Sequence, residues 1–184
     1  MFKSSGNQAF GARATEVGAT VALMFVWVLF FSLCLRLFAN AIYGNVHGNE
    51  LVLGVIPNIV LHDYLRMGSQ EAIASGLGWI FISACIVAPF LEEIFFRALF
   101  CGVSTDRRGK LNHWGWAVIL SGSFIVFGLA HRNGLFSIMV QGGIGLFLAR
   151  LWFRNGPGQK ASYFSCVAAH GLYNFTVITA ALVL

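Results

Sequence analysis

Charge is what this sequence has least of. Asp, Glu, Lys and Arg supply 10% of the 184 residues and hydrophobic types 58%, against roughly 25% and 45–50% in an average soluble domain. A soluble chain of this size buries about 70% of its unfolded surface and must clothe the rest with polar groups. Too few are present, so lipid has to be the outer solvent. The four cysteines, Cys34, Cys85, Cys101 and Cys166, form no C-x-x-C pair and fall in or beside apolar stretches. That pattern excludes a disulfide framework or zinc knuckle and leaves buried free thiols. No basic stripe accompanies the net charge of +5; the cations are scattered through short connections, which excludes nucleic acid as a partner and fits positive-inside anchoring. Repeats, low-complexity tracts and domain-dividing linkers are also missing, which leaves one transmembrane helical domain over 1–184.

What is present is apolar length. Residues 17–35 follow a polar lead and are long enough, at ~1.5 Å per residue, to cross a ~30 Å hydrocarbon core. Ala39-Asn40-Ala41 matches an A-x-A cleavage pattern, but the apolar run exceeds a signal-peptide core and Arg36 lies just before that site, so an uncleaved anchor is expected. Residues 72–103 form a second long element that Pro89 should kink, because proline lacks the backbone donor and clashes with the preceding turn. Residues 113–131, 135–153 and 161–184 make three more. Between 41 and 70 the chain is too interrupted for a clean crossing, and 51–61, which contains Pro57, reads as interfacial or re-entrant. The fold class is therefore all-α, a multi-pass transmembrane bundle of about five to six membrane helices. Five crossings place Lys3, Arg13, Arg107, Arg108, Lys110, Arg154 and Lys160 on one side, which predicts a cytoplasmic N-terminus in a plasma-membrane protein.

Against this background a few polar residues stand out. Glu92 and Glu93 lie just past Pro89 in an otherwise apolar element, and ionisable groups at membrane depth default to function. Arg97, four residues after Glu93, shares its helix face and can pair with it. Glu92, rotated by ~100° from its neighbour, stays available for other work. His131 closes the third span, while His170 and Asn174, one turn apart, form one face with two donors suited to a single oxygen atom. Three separate helices thus bring polar groups to the membrane interior.

Glu92-Glu93-x-x-x-Arg97, Phe127-x-x-x-His131 and His170-x-x-x-Asn174, in this order, resemble the three motifs of the CPBP family, which includes type II CAAX prenyl endopeptidases. Ala88-Pro89 and Phe96-Arg97 match its A-P-x-x-E-E-x-x-F-R context, with Ala98 standing where Gly is usual. The resemblance covers 72–184 and makes that stretch the catalytic core. It implies an intramembrane glutamic endopeptidase: Glu92, assisted by His131, activates a water, His170 and Asn174 donate to the oxyanion, and Glu93 with Arg97 holds the helix. It implies no cofactor and no metal, and a membrane protein or lipidated peptide as substrate within the lipid bilayer.

Other readings remain open on the residues alone. Glu93 and Arg97 can be a structural ion pair only. His131 can be an interfacial histidine beside Arg132, and His47, His62 and His113 fall in connections or at span ends. Zinc ligation lacks an H-E-x-x-H motif, and Ser121 or Ser123 as a nucleophile lacks a G-x-S-G turn. The alternative from another class is a non-enzymatic scaffold, immunity factor or small transporter that uses the same polar groups for packing or ligand binding.

Overall fold

The computed structural model describes residues 5–43, 70–105, 111–112, 114–131, 134–154 and 160–183. The segment 51–61 and residues Lys3, Arg66, Arg107, Arg108, Lys110, Arg132, His47, His62 and His113 lie outside them. Five helical rods account for nearly all the described residues, and no named strand occurs among them. The first, α1, spans Ser5–Tyr43 and runs through Ala39-Asn40-Ala41 without a break. It starts well before the expected 17–35 because the polar lead is also helical. The second, α2, joins Gln70–Ile82, Ser83–Val87, Ala88–Glu93 and Ile94–Cys101 in one path, its second and fourth parts π-helical. In α3, Gly115–Ile119 leads through a π-helical Leu120–Val126 into Phe127–Ala130. Gly134–Arg154 forms α4 and Lys160–Val183 forms α5.

Proline does not break α2. The expected kink at Pro89 becomes a wider turn just before it: Ala88 N–H reaches back to Ser83 O, five residues away, so the helix absorbs the missing donor by adding a residue to the turn.

The rods alternate in direction. Arg154 at the end of α4 pairs with Glu16 near the start of α1 at 3.2 Å, and the Trp27 indole donates to Met139 O. Phe81 packs on Phe175, and the Tyr163 hydroxyl donates to Phe90 O, so α2 and α5 are antiparallel. α1 ends and α2 begins at the same end of the bundle. At the opposite end, Thr105 bridges Leu111 as α2 gives way to α3.

Central to the bundle, α4 touches α1, α3, α5 and the last part of α2. Its approach depends on glycine. A Cβ on Gly145 would meet Ser123 O and one on Gly142 would meet Phe124 O, while Gly143 faces the Trp27 indole. Small residues that let backbones close in are how helices pack where lipid removes the hydrophobic drive. Met24, Phe127, Ile144, Leu148, Leu151, Cys166 and Ala169 fill the resulting core.

The outer surface is apolar. Val26, Leu29, Ile86 and Leu91 are each 60% exposed or more, apolar surface suited to contact with acyl chains. Arg13–Phe31 and Gly76–Cys101 are each long and apolar enough to cross a membrane. Trp79 near the start of the second stretch and Trp114 and Trp116 at the opposite end of the bundle are exposed, as the aromatic belts at membrane interfaces require. This is a helical membrane protein.

Candidate functional site

The site grows from the middle of α2. Glu93 and Arg97, one turn apart, are both fully buried, with Arg97 Nε 2.9 Å from Glu93 Oε2. The Nε–H is out of line for a hydrogen bond, so the contact is one of charge. Arg97 Nη1 donates to Ser123 Oγ on α3 at 3.2 Å, and its guanidinium carbon lies 5.2 Å from the centre of the Phe127 ring. A cation over an aromatic face is favoured further when both are desolvated. Three contacts, one within α2 and two from α3, thereby fix Arg97.

Glu93 faces α5 with its other oxygen. His170 Nδ1 sits 2.9 Å from Glu93 Oε1, a geometry satisfied by Nδ1–H donating to the carboxylate. Across the imidazole, Nε2 faces Glu92 Oε2 at 3.9 Å. His170 thus stands between two carboxylates whose situations differ. Glu93 is fully enclosed between Arg97 and His170, whereas the Glu92 side chain is 31% exposed. Its Oε2 is nonetheless buried and accepts no hydrogen bond from any described residue.

His131 follows the last turn of α3, its Nδ1 2.8 Å from Phe127 O. That bond leaves Nε2 as the free face of the ring. The rings of His131 and His170 lie 4.8 and 5.8 Å from that of Phe127, so one aromatic side chain backs both imidazoles. α3 is short: Gly115–Ala130 extends at most ~24 Å at ~1.5 Å per residue, less than a ~30 Å hydrocarbon core. Its final residue can therefore lie at the depth of the other site groups.

Asn174 departs from the expected pairing. One turn past His170, its Nδ2 donates to Ala84 O on α2 at 2.8 Å; one of its two N–H groups is committed to backbone. Below it Gly171 lets Cys85 O approach where any Cβ would collide. On the other side of the site the Tyr163 hydroxyl donates to Phe90 O at 2.7 Å.

Glu92, Glu93, Arg97 and His170 therefore meet directly, His131 joins them through Phe127, and Asn174 stands at the wide turn of α2. Among the described residues no three His, Cys, Asp or Glu side chains are grouped to hold a metal ion. Sequence reasoning missed Ser123 as a partner of Arg97, having weighed it only as a nucleophile. The available signal was that a guanidinium has five donors and one carboxylate cannot use them all. The wide turn also went unread, although a proline inside an apolar helix announces that some carbonyl will lose its donor.

No curated protein and no solved structure matches the chain. The model of one family, the type II CAAX prenyl endopeptidase Rce1-like proteins, matches residues 74–176, over half of the chain and every residue of the cluster just described, and to that family the chain belongs.

Proposed function

We propose that this chain is an intramembrane glutamic endopeptidase in which Glu92 activates the water that cleaves a peptide bond. A CAAX-type protease function comes with the family; the mechanism rests on one observation, the contrast between two adjacent carboxylates. Glu93 is held by Arg97 and His170, while Glu92 presents an unpartnered buried oxygen 3.9 Å from His170 Nε2. Two polar atoms at that separation can each lie ~2.8 Å from one shared water oxygen.

Glu92 takes a proton from that water as its oxygen attacks the scissile carbonyl carbon. His131, presenting Nε2, assists in holding or accepting the proton. The carbonyl electrons move onto oxygen, and His170 donates to the oxyanion, the kind of interaction whose loss costs about 10²–10³ in rate. Collapse of the tetrahedral centre breaks the C–N bond, and the proton taken by Glu92 passes to the departing amine. Glu93 and Arg97 hold His170 and α2 in place without touching the reacting atoms.

The substrate is a membrane-associated peptide, such as a lipidated C-terminal segment or an anchored tail. It must be extended at the cleavage point, because helical carbonyls are already hydrogen-bonded. In this reading the bundle lies in a plasma membrane, with α3 ending inside it at the depth of the site and the N-terminus in the cytoplasm beside the Glu16–Arg154 end.

The test is Glu92→Gln, which keeps the shape and removes the base. Cleavage of a co-expressed membrane substrate should fall by about 10²–10⁴-fold, while the purified protein stays monodisperse in detergent. Retained cleavage in a folded Glu92→Gln protein overturns the assignment.

A further inference from the structure

The bond from Asn174 to Ala84 O is explained by α2 itself. In an α-helical register the donor to Ala84 O would be Ala88 N–H, and in a π-helical register it would be the N–H of residue 89. Ala88 N–H is directed to Ser83 O instead, and residue 89 is proline, which has none. Ala84 O is thus a carbonyl with no backbone donor in either register. Acyl chains offer no replacement, so a freed carbonyl in a transmembrane helix must be met by a neighbouring side chain. Asn174 Nδ2 meets it at 2.8 Å. One turn away Gly171, lacking a Cβ, lets Cys85 O come against α5. The two contacts fix how far α5 has slid along α2, and one further step along the same face is His170, 2.9 Å from Glu93 and 3.9 Å from Glu92.

We propose that Asn174 is a positioning residue: its amide caps the carbonyl that Pro89 orphans, and this sets the register that places His170 on Glu92 and Glu93. The second N–H of the same amide stays available for the oxyanion-donor role expected from sequence. The consequence of the positioning for rate rests on the endopeptidase reading; its consequence for structure does not.

The distinguishing experiment is a double-mutant cycle with Pro89→Ala, which returns an N–H to residue 89 and allows α2 to satisfy Ala84 O by itself. Asn174→Ala alone should lower kcat on the order of 10²-fold, the effect of a misplaced catalytic group. In the Pro89→Ala background that loss should shrink by about tenfold, the coupling expected of residues sharing one bond. A residue acting solely as a donor to the oxyanion would be missed equally in both backgrounds, and an unchanged loss overturns the proposal. The same cycle is read by thermal unfolding in the Glu92→Gln protein, where turnover plays no part. There the drop in Tm caused by Asn174→Ala should be largely suppressed by Pro89→Ala, and equal drops overturn the proposal even if Glu92 proves not to be the base.

Should Pro89→Ala fail to accumulate, Cys85 reports on the same seam. It is half-buried beside the contact, Cys101 and Cys166 are buried, and Cys34 is exposed, so Cys34→Ser removes the competing signal. Asn174→Ala should raise the rate of Cys85 alkylation in detergent several-fold. An unchanged rate means the amide does not hold the seam, and the proposal falls.

Discussion

Two seams of this bundle are built on opposite principles. α4 meets α3 and α1 through missing side chains: Gly142, Gly143 and Gly145 bring its backbone against Phe124, Trp27 and Ser123. α2 meets α5 through polar groups instead, with Asn174 on Ala84 O, Glu93 on His170 and Tyr163 on Phe90 O. The first arrangement gains dispersion contact at its glycines, with the Trp27 indole donating to Met139 O beside them. The second spends buried polarity, which lipid makes costly unless every group is paired. In the second, Glu93 and Arg97 are tied into an ion pair, while Glu92 Oε2 accepts no hydrogen bond from any described residue. The glycine seam holds the frame against which the polar seam can be exact about a few atoms.

If so, the largest effects should come from filling the glycine seam. Gly145→Val places a branched side chain where even a Cβ runs into Ser123 O. A backbone carbonyl cannot swing aside as a side chain can, so the cost should exceed the ~1–3 kcal/mol of ordinary overpacking. The variant should be lost from the monodisperse fraction on size exclusion in detergent. Gly143→Ala sharpens the point, because its obstacle is the Trp27 indole, which can shift by giving up its bond to Met139 O. That variant should remain folded with a reduced Tm, and equal behaviour of the two would break the distinction between a backbone and a side-chain obstacle.

The same contrast explains what could be read from sequence. The helices and their approximate limits follow from apolar runs, and α2 through α5 lie close to where hydropathy places them. Glu93 and Arg97 are four apart on one helix, so their meeting was legible from spacing alone. The pairing of His170 with Glu93, and of Asn174 with Ala84 O, was not. Those contacts depend on how far α5 slides along α2, which is set by the extra residue in the Ser83–Val87 turn and by the space at Gly171. A strict i, i+4 rule sees His170 and Asn174 as a pair serving one atom, whereas the packed helices give them different partners. Ser123 escaped for a related reason: its role is visible only once α3 is laid on Arg97.

Breaking the polar seam from one side should rank next. Arg97→Met removes the cation beside Glu93 while keeping much of the side-chain volume against Phe127. Losing one partner of a buried ion pair costs about 3–5 kcal/mol, because the other charge is left stranded. The expected result is a large drop in Tm. Adding Glu93→Gln to Arg97→Met should recover part of it, since the stranded charge goes too. A double variant no more stable than Arg97→Met alone would mean that Arg97 matters through Phe127 and Ser123 and not through Glu93.

The smallest effect belongs to Tyr163, and its size follows from the carbonyl it serves. Phe90 O already accepts the backbone N–H of Ile94, so Tyr163→Phe removes one bond without orphaning an acceptor. The ring contact with Phe90, at 5.5 Å between centroids, survives the change. Side-chain hydrogen bonds between membrane helices average about 0.6 kcal/mol, and Tyr163→Phe should cost no more than that in unfolding free energy. Asn174→Ala differs in kind, because Ala84 O has no backbone donor to fall back on. Measured side by side in the same detergent, Asn174→Ala should therefore destabilise clearly more than Tyr163→Phe, although each deletes a single bond of nearly equal length. Comparable losses would show that the wide turn before Pro89 satisfies its own carbonyl, and that the polar seam owes nothing to the proline.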